Sequence, residues 1–592
     1  MTAYRAPVAD LIFNLRYTAG LPDMAAWPGL AEADIDTAQA VLEECARLNE
    51  DVLAPLNAIG DRQPATLSGG AVTSTPGFKE AFRQYAEGGW QGLSHPESVG
   101  GQALPKSIAT GCIEINNSAN LSFALCPLLT DGAIEALLTA GSPELQQRYI
   151  PRLISGEWTG TMNLTEPQAG SDLAQIRTRA EPQPDGTYRV FGTKIYITWG
   201  EHDLAANIVH LVLARLPGAP EGVKGISLFV VPKFLVSDDG ALGERNDVWC
   251  VGLEHKLGIK ASPTAVLQFG DHGGAVGHLV GEPNRGLQYM FIMMNAARFG
   301  VGVQGMALAE RASQAAVAYA RDRVQSRPVD GSSVQPVTII HHPDVRRMLM
   351  TCRAHTQGAR ALALAAASHH DAAHHHPDAE QRTLNQAIYE FLVPLVKGYS
   401  TEMSQTVASL AVQVCGGMGF IEETGLAQYI RDAKILSIYE GTTAIQANDL
   451  VSRKTQRDGA ALALWLGERM GETADALDGH ASQSGAADAL RLARDALTGA
   501  ARFMVEQAGN PNAAYAGSVP YLLLAGQALS GWLLLRSALV AEAAGDADAQ
   551  ELSAKWITAR FYADHILPQC TTLAHSVLVG HDSVLALAPE GF

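Results

Sequence analysis

At 592 residues the chain is too long for one hydrophobic core, and length alone predicts about three to four domains. Its 61 acidic against 43 basic side chains leave a net charge of −18, which argues against a nucleic-acid or anionic-membrane surface as the main partner. Seven cysteines with no CxxC pair read as reduced thiols packed as small hydrophobes in a cytoplasmic protein.

In chain order, the opening MTAYRAPVADLIFNL has Asp10 and Asn14 interrupting its apolar residues, so it is not read as a secretory signal. Residues 36–155 carry helical apolar spacing, with Asp36 placed to cap the first helix. Between 158 and 275 the runs become short and β-rich (WTGTMNLT, YRVFGTKIYIT, ANIVHLVLARL, GISLFVVP, TAVLQFGD), and Pro184-Asp185-Gly186 is a hairpin signal. Glycine and proline clusters at 217–224 and 236–244 read as loops. Helical spacing returns from 286 to 455, and an alanine- and leucine-rich block closes the chain. From 460 onward that block holds 7 basic against 14 acidic residues, so it is no basic arm. Tyr521–Ala541 is about long enough to span a membrane, but Gln527, Ser530, Arg536 and Ser537 interrupt it. It reads as a buried bundle helix rather than an integral membrane segment. The expected class is mainly α with a β insert: an extension over 1–35, a helical domain over 36–157, a middle β domain over 158–280, a helical bundle over 281–458 and an additional helical domain over 459–592.

Five segments carry candidate chemistry. In RDAKILSIYEGTTAIQ, Leu436 and Ile438 surround a segment that ends in Glu440 with Gly441 and Thr442 behind it. An acid in an apolar neighbourhood at a glycine turn is a candidate general base, because desolvation raises its pKa and glycine admits a close substrate. MNLTEPQAGSDLAQ offers Thr165 and Ser171 at a turn that fits either heteroatom binding or an ordinary capped loop. Tyr196 and Thr198 alternate onto one face of KIYIT, where they line a ring or simply pack. Arg298, Arg321, Arg323 and Arg327 form a basic cluster suited to pyrophosphate or a solvated helix end. QVCGGMGF offers close backbone approach to a ligand, or a plain C-cap, and no GxGxxG follows a strand. The histidine-rich stretch 368–381, with His369, His370, His374, His375 and His376, reads as a solvated connection between helices; no acidic or cysteine pattern frames a metal.

TEPQAGSD, KIYIT, LGIKASPT, the arginine segment, QVCGGMGF and RDAKILSIYEGTTAIQ, taken together and in this order, resemble the acyl-CoA dehydrogenase family over residues 36–455. The opening segment and the extra C-terminal block resemble its long bacterial subgroup, which includes 3-methylmercaptopropionyl-CoA dehydrogenases of dimethylsulfoniopropionate breakdown and long-chain acyl-CoA dehydrogenases. The resemblance implies an N-terminal helical domain, a middle β-barrel domain and a C-terminal helical bundle that bind FAD. It implies α,β-dehydrogenation of an acyl-CoA to the trans-2-enoyl-CoA, with a fatty acyl-CoA or 3-methylmercaptopropionyl-CoA as substrate, electron-transferring flavoprotein as acceptor and a homodimer as the assembly. Glu440 would be the base. Leu164, Thr165, Ser171, Tyr196, Thr198 and Thr442 would contact the cofactor. Arg323, Gln325, Gln413, Gly416 and Gly417 would reach the cofactor of a neighbouring subunit. Ser171, Asn295, Arg298 and Gly441 would contact substrate, with Asn295 standing where the family frequently has aspartate. An acyl-CoA oxidase and a non-catalytic, DNA-binding relative are the alternatives.

Overall fold

The structure is a computed structural model that describes residues 3–30, 33–237, 239–480 and 483–592. The chain forms two units, one of Met1–Ala46, Pro105–Ser118 and Arg298–Phe592, the other of Arg47–Leu104 and Ala119–Ala297. The fold class is as read from the sequence, mainly helical with a β insert.

The second unit holds the sheet. Helices Leu121–Ala140 and Pro143–Ile154 begin at Asn120 and Ser142, whose side chains accept from the Phe123 and Leu145 amides. Their apolar faces cover one side of an eight-stranded sheet ordered 248–253, 264–269, 188–198, 275–280, 226–232, 207–215 and 158–163, with 179–182 bridging 188–198 and 207–215. That bridge closes five strands into a ring, the small barrel expected of the middle domain. Strand Asn207–Arg215 shows why its sequence reads as one apolar run. Val209, Leu211 and Leu213 pack with Leu137, Tyr149 and Leu153 on one side, while Val212 and Ala214 pack with Phe229, Val231 and Leu267 on the other. The Pro-Asp-Gly hairpin forms as expected, with Pro182 opposite Tyr188.

Three local expectations are corrected here. The helix over Ile35–Leu48 is capped by Asp34, which accepts from the Thr37 amide at 2.7 Å, so Asp36 lies in the first turn. A hairpin of Thr66–Ser68 and Ala71–Thr73 interrupts the stretch read as helical, its strands too short to show a period. The segment 236–244 is not a plain loop: Phe234–Val236 pairs with Leu242–Arg245, residue 238 lying outside the described residues.

The first unit is helical. Helix Gly286–Asp322, from Arg298 onward, runs against Ala379–Cys415 at two glycines. A Cβ on Gly302 would lie 2.5 Å from the Val396 carbonyl oxygen, and one on Gly305 2.6 Å from that of Ser400, so only glycine permits the approach. One apolar core runs from Phe299 to Val577, so the C-terminal block packs onto the same bundle. Leu121–Ala140 and Ser518–Ala544 are each long and apolar enough to cross a membrane, and each is mostly buried within the protein.

The histidine tract is a further correction. Residues 368–375 are the last turns of helix Pro343–His375, and Asp378 caps the next helix by accepting from the Glu380 amide. Alanines at 365–367 and 372–373 favour the helix, and His370 stacks on His374 one turn on, with centroids 4.3 Å apart.

Candidate active site

Glu440 lies in the connection between helices Leu426–Leu436 and Thr443–Val451. The chain reverses there through two successive left-handed residues, Glu440 at φ 54° and Gly441 at φ 87°. Such a conformation is strained for glutamate and costs roughly 1–3 kcal/mol, so its surroundings must hold it. Lys397 Nζ donates to the Gly441 carbonyl at 2.6 Å, and Gln446 Nε2 donates to the Glu440 and Gly441 carbonyls at 3.3 Å each. A Cβ on Gly441 would meet Gln446 Nε2 at 2.7 Å, so glycine is required by both backbone and space. Thr442 caps the following helix, its hydroxyl oxygen accepting from the Ile445 amide at 3.3 Å. Tyr439 donates to Gln304 Oε1 at 2.5 Å, and Thr443 to Glu402 Oε1 at 2.6 Å, fixing the turn from both flanks.

While the turn is held on every side, its acid is not. Among the described residues, neither the Glu440 carboxylate nor its backbone N–H makes a hydrogen bond. Burial raises the Glu440 pKa, and the nearby charges of Arg298 and Lys397 pull it back without cancelling the rise. Burial also pushes Lys397 down to about 8, against the pull of Glu440. Arg298 is itself lowered by burial, with Asp449 and Glu440 opposing. The result is a carboxylate that takes up a proton readily and has two cations to balance it once ionised.

The remaining sequence-derived positions fall into two groups. In the β-containing unit, Leu164 and Thr165 follow strand Trp158–Asn163, and their carbonyls accept from Lys194 Nζ and the Ile195 amide, both at 2.9 Å. The TEPQAGSD loop is shaped by Glu166, which accepts from the Arg177 amide at 2.7 Å, the Thr178 amide at 3.0 Å and Lys194 Nζ at 2.9 Å. Burial would raise Glu166, but Lys194 and these donors hold it down at about 2. Ser171 is exposed on this loop. Tyr196 does not follow the regular alternation expected of it. Lys194 pairs with Leu267 and Ile197 with Ala265, so two residues oppose one, and Tyr196 takes φ 59° in the bulge. Both Lys194 and Ile197 must point inward, and the bulge supplies the extra step; Tyr196 is left 59% exposed and Thr198 half-buried. Asn295 is exposed, one turn before Arg298 on helix Gly286–Asp322.

In the helical unit, the expected arginine cluster separates. Arg298 is buried in the helix interior and its charge acts on Glu440, whereas Arg321, Arg323 and Arg327 are exposed around the helix end at Asp322. Spacing along the sequence could not show this, because Arg298 lies more than six turns upstream. Gln413, Gly416 and Gly417 are exposed at the end of helix Ala379–Cys415, and a Cβ on either glycine would meet nothing within 4 Å. Residue choice missed Lys397, Gln446 and Gln304. Lys397 had a signal: it is a lone lysine in the apolar run FLVPLVKGY.

Taken unit by unit, these residues suit a flavin dinucleotide. Arg323 is an exposed guanidinium with no ion pair among the described residues, open backbone lies at Gly416 and Gly417, and an aromatic ring stands clear of the sheet at Tyr196.

Four family models match in sequence: acyl-CoA dehydrogenase N-terminal domain over 36–157, middle domain over 161–272, C-terminal domain over 284–454, and acetyl-CoA dehydrogenase C-terminal like over 466–588. The 3-methylmercaptopropionyl-CoA dehydrogenase of Ruegeria pomeroyi is 53% identical, over 98% of this chain and 99% of that protein. The broad-specificity linear acyl-CoA dehydrogenase FadE5 of Mycobacterium tuberculosis is 36% identical over the full length of both. Among solved structures, Caenorhabditis elegans ACDH-11 in complex with C11-CoA superposes with a TM-score of 0.76 at 21% identity, covering 95% of this chain and 92% of that one. An acyl-CoA dehydrogenase complexed with FAD from Bacillus anthracis superposes with a TM-score of 0.74 at 20% identity, covering 94% and 90%.

Proposed function

The chain belongs to the acyl-CoA dehydrogenase family, and from that premise we propose that it oxidises 3-methylmercaptopropionyl-CoA to the corresponding trans-2-enoyl-CoA, using FAD and passing electrons to an electron-transferring flavoprotein. The observation that carries the reading is Glu440, a strained, half-buried acid with a raised pKa and no hydrogen bond to its carboxylate among the described residues. FAD, when bound, supplies the two-electron acceptor for the hydride that leaves the substrate β-carbon. Everything else falls to the chain.

Glu440 takes the α-proton onto its carboxylate, and the C–H pair becomes half of the new double bond. An α-proton of a thioester is a weak acid, so charge building on the thioester oxygen must be stabilised. The Glu440 N–H is uncommitted and serves as donor to that oxygen. Lys397 and Gln446 hold the turn that presents both groups. The charges of Arg298 and Lys397 oppose the rise that burial imposes on the Glu440 pKa and so favour its ionised form. Leu164, Thr165, Ser171, Tyr196, Thr198 and Thr442 are assigned to the cofactor, and Ser171, Asn295, Arg298 and Gly441 to the substrate. Arg323, Gln325, Gln413, Gly416 and Gly417 are assigned to the cofactor of a second subunit, which makes a homodimer the smallest working assembly.

The methylmercapto substrate is favoured by the 53% identity along the whole chain, and a linear fatty acyl-CoA is the second reading, favoured by the 36% identity to FadE5. A panel of acyl-CoAs of graded length, including 3-methylmercaptopropionyl-CoA, assayed with an electron-transferring flavoprotein, separates them. The highest kcat/KM is expected for the methylmercapto thioester. A maximum at an unbranched chain of eight carbons or more would replace it with the second reading. Turnover in air with stoichiometric peroxide and no other acceptor would make the protein an oxidase.

A further inference from the structure

Lys194 is a cation in the β-containing unit that the reaction leaves unused. It points inward from strand Tyr188–Thr198, opposite Leu267, and its side chain is fully buried. Burial pushes its ammonium down to about 8 against the pull of Glu166, so the charge persists at neutral pH. A lysine in such a place costs desolvation that an alkyl side chain would not, and its contacts must offset it. Two are made. One goes to Glu166 Oε1 at 2.9 Å, but that carboxylate already accepts from four neutral donors: the Arg177 amide, the Thr178 amide and hydroxyl, and Gln168 Nε2. The other goes to the Leu164 carbonyl at 2.9 Å, and among the described residues no other group donates to that oxygen.

The same peptide carries the Thr165 N–H. Thr165 is pinned on its far side, where its carbonyl accepts from the Ile195 amide at 2.9 Å, and the Glu166 amide behind it donates to the Ala169 carbonyl at 3.1 Å. Its own N–H and hydroxyl make no hydrogen bond among the described residues, and the residue is half-buried. A carbonyl that accepts from a cation draws electron density through its peptide, so the N–H at the other end becomes a stronger donor. We propose that Lys194 is a positioning residue for the flavin: it fixes the Leu164–Thr165 peptide so that the Thr165 N–H donates to an acceptor atom of the ring, and its charge, relayed through that peptide, favours the reduced cofactor. The proposal rests on the assignment of Leu164 and Thr165 to FAD and extends it to a residue that does not touch the cofactor. Reduction adds negative charge to the ring, so a strengthened donor raises the flavin potential.

Lys194→Met keeps a stem of similar length and removes the charge. In spectroelectrochemical titration the FAD-loaded variant should show a lower flavin potential, by about tenfold in the reduction equilibrium, which is ~30 mV for a two-electron couple. It should also bind FAD about tenfold more weakly. If it does not fold, Lys194→Met combined with Glu166→Gln, which strands no ion, decides in its place, with a shift of the same sign. Arg360→Met, which breaks a buried ion network in the helical unit, is the control for lost stability and should keep the parental potential. In the parent, hydrogen–deuterium exchange of peptides spanning residues 163–167 should show added protection when FAD is loaded. The proposal is overturned if the Lys194 variant keeps the parental potential, if Arg360→Met shifts it as far, or if FAD adds no protection at 163–167. A parent that binds no FAD would overturn the cofactor assignment too, whereas parent and variant holding FAD at one potential overturn this proposal alone.

Discussion

Glu440 and Glu114 are both carboxylates held inside the helical unit close to an arginine, and burial raises the pKa of each. They differ in what answers the charge. Both Glu114 oxygens accept from Arg360 Nε at 3.0 Å, and Arg360 also binds Asp10 at 2.5 Å and Glu310 at 2.8 Å, while Lys555 pairs with Asp10. Every polar arm of that guanidinium is used, and the cluster joins the N-terminal helix and the C-terminal block to the bundle. Glu440 has charges nearby but no hydrogen bond to its carboxylate among the described residues, and it sits on strained backbone. Hydrogen-bond commitment separates a structural carboxylate from a reactive one here.

The comparison breaks first at its reactive end. Glu440→Gln keeps the size of the side chain and removes the base, so flavin reduction on mixing with acyl-CoA should fall by about 10²–10⁴-fold while FAD content and melting temperature hold. Rapid-mixing absorbance reads this directly. At the structural end, Arg360→Met strands Glu114, leaves Asp10 to Lys555 alone and takes the cation from Glu310, and should cost about 3–5 kcal/mol in denaturant unfolding, with little change in the catalytic rate of the protein that remains folded. Asp10 gives that cluster a pH signature. Burial works to raise its pKa, but Lys555 and Arg360 hold it well below the usual carboxylate range. Its contribution is therefore present above the unfolded carboxylate pKa and is lost as pH falls toward the depressed folded value, and acid unfolding of Arg360→Met should begin at higher pH than in the parent.

Smaller effects sharpen the same contrast. Gly302→Ala drives a methyl into the Val396 carbonyl and should cost about 1–3 kcal/mol in thermal unfolding, with a fall in kcat because the helices that carry Arg298 and Lys397 must part. Lys397→Met acts on the base itself. Glu440 must be ionised to accept the proton, so activity falls as pH drops through its raised pKa. Removing a charge that lowers that pKa should move the acid limb of kcat to higher pH, with less than about tenfold lost on the plateau. An acid limb that stays in place would remove Lys397 from the electrostatics and leave it as a tether of the turn.

Much of this was legible in the chain because local signals agreed with the fold. The strand Tyr188–Thr198 coincides with the run YRVFGTKIYIT, and the Pro-Asp-Gly turn before it pairs as expected. Glu440 could be found because a glycine turn and apolar neighbours mark it in one short segment. What escaped depends on contacts distant in sequence. Lys397 reaches Gly441 across 44 residues, and Arg298 belongs with Glu440 rather than with the arginines that follow it on its own helix. The bulge at Tyr196 arises because two inward residues stand three apart, which strict alternation cannot express. The histidine tract misled because its polarity reads as solvent, whereas the alanines around it continue a helix whose first histidines face protein.

The central claim is that Glu440 is the group that removes the α-proton. Holoenzyme incubated with acyl-CoA in D₂O and followed by proton NMR tests it without reference to the electron acceptor. The parent should wash deuterium into the α-position of unconverted thioester, and Glu440→Gln, with FAD and substrate bound, should not. Exchange at the parental rate in the variant would contradict the account and place the base elsewhere.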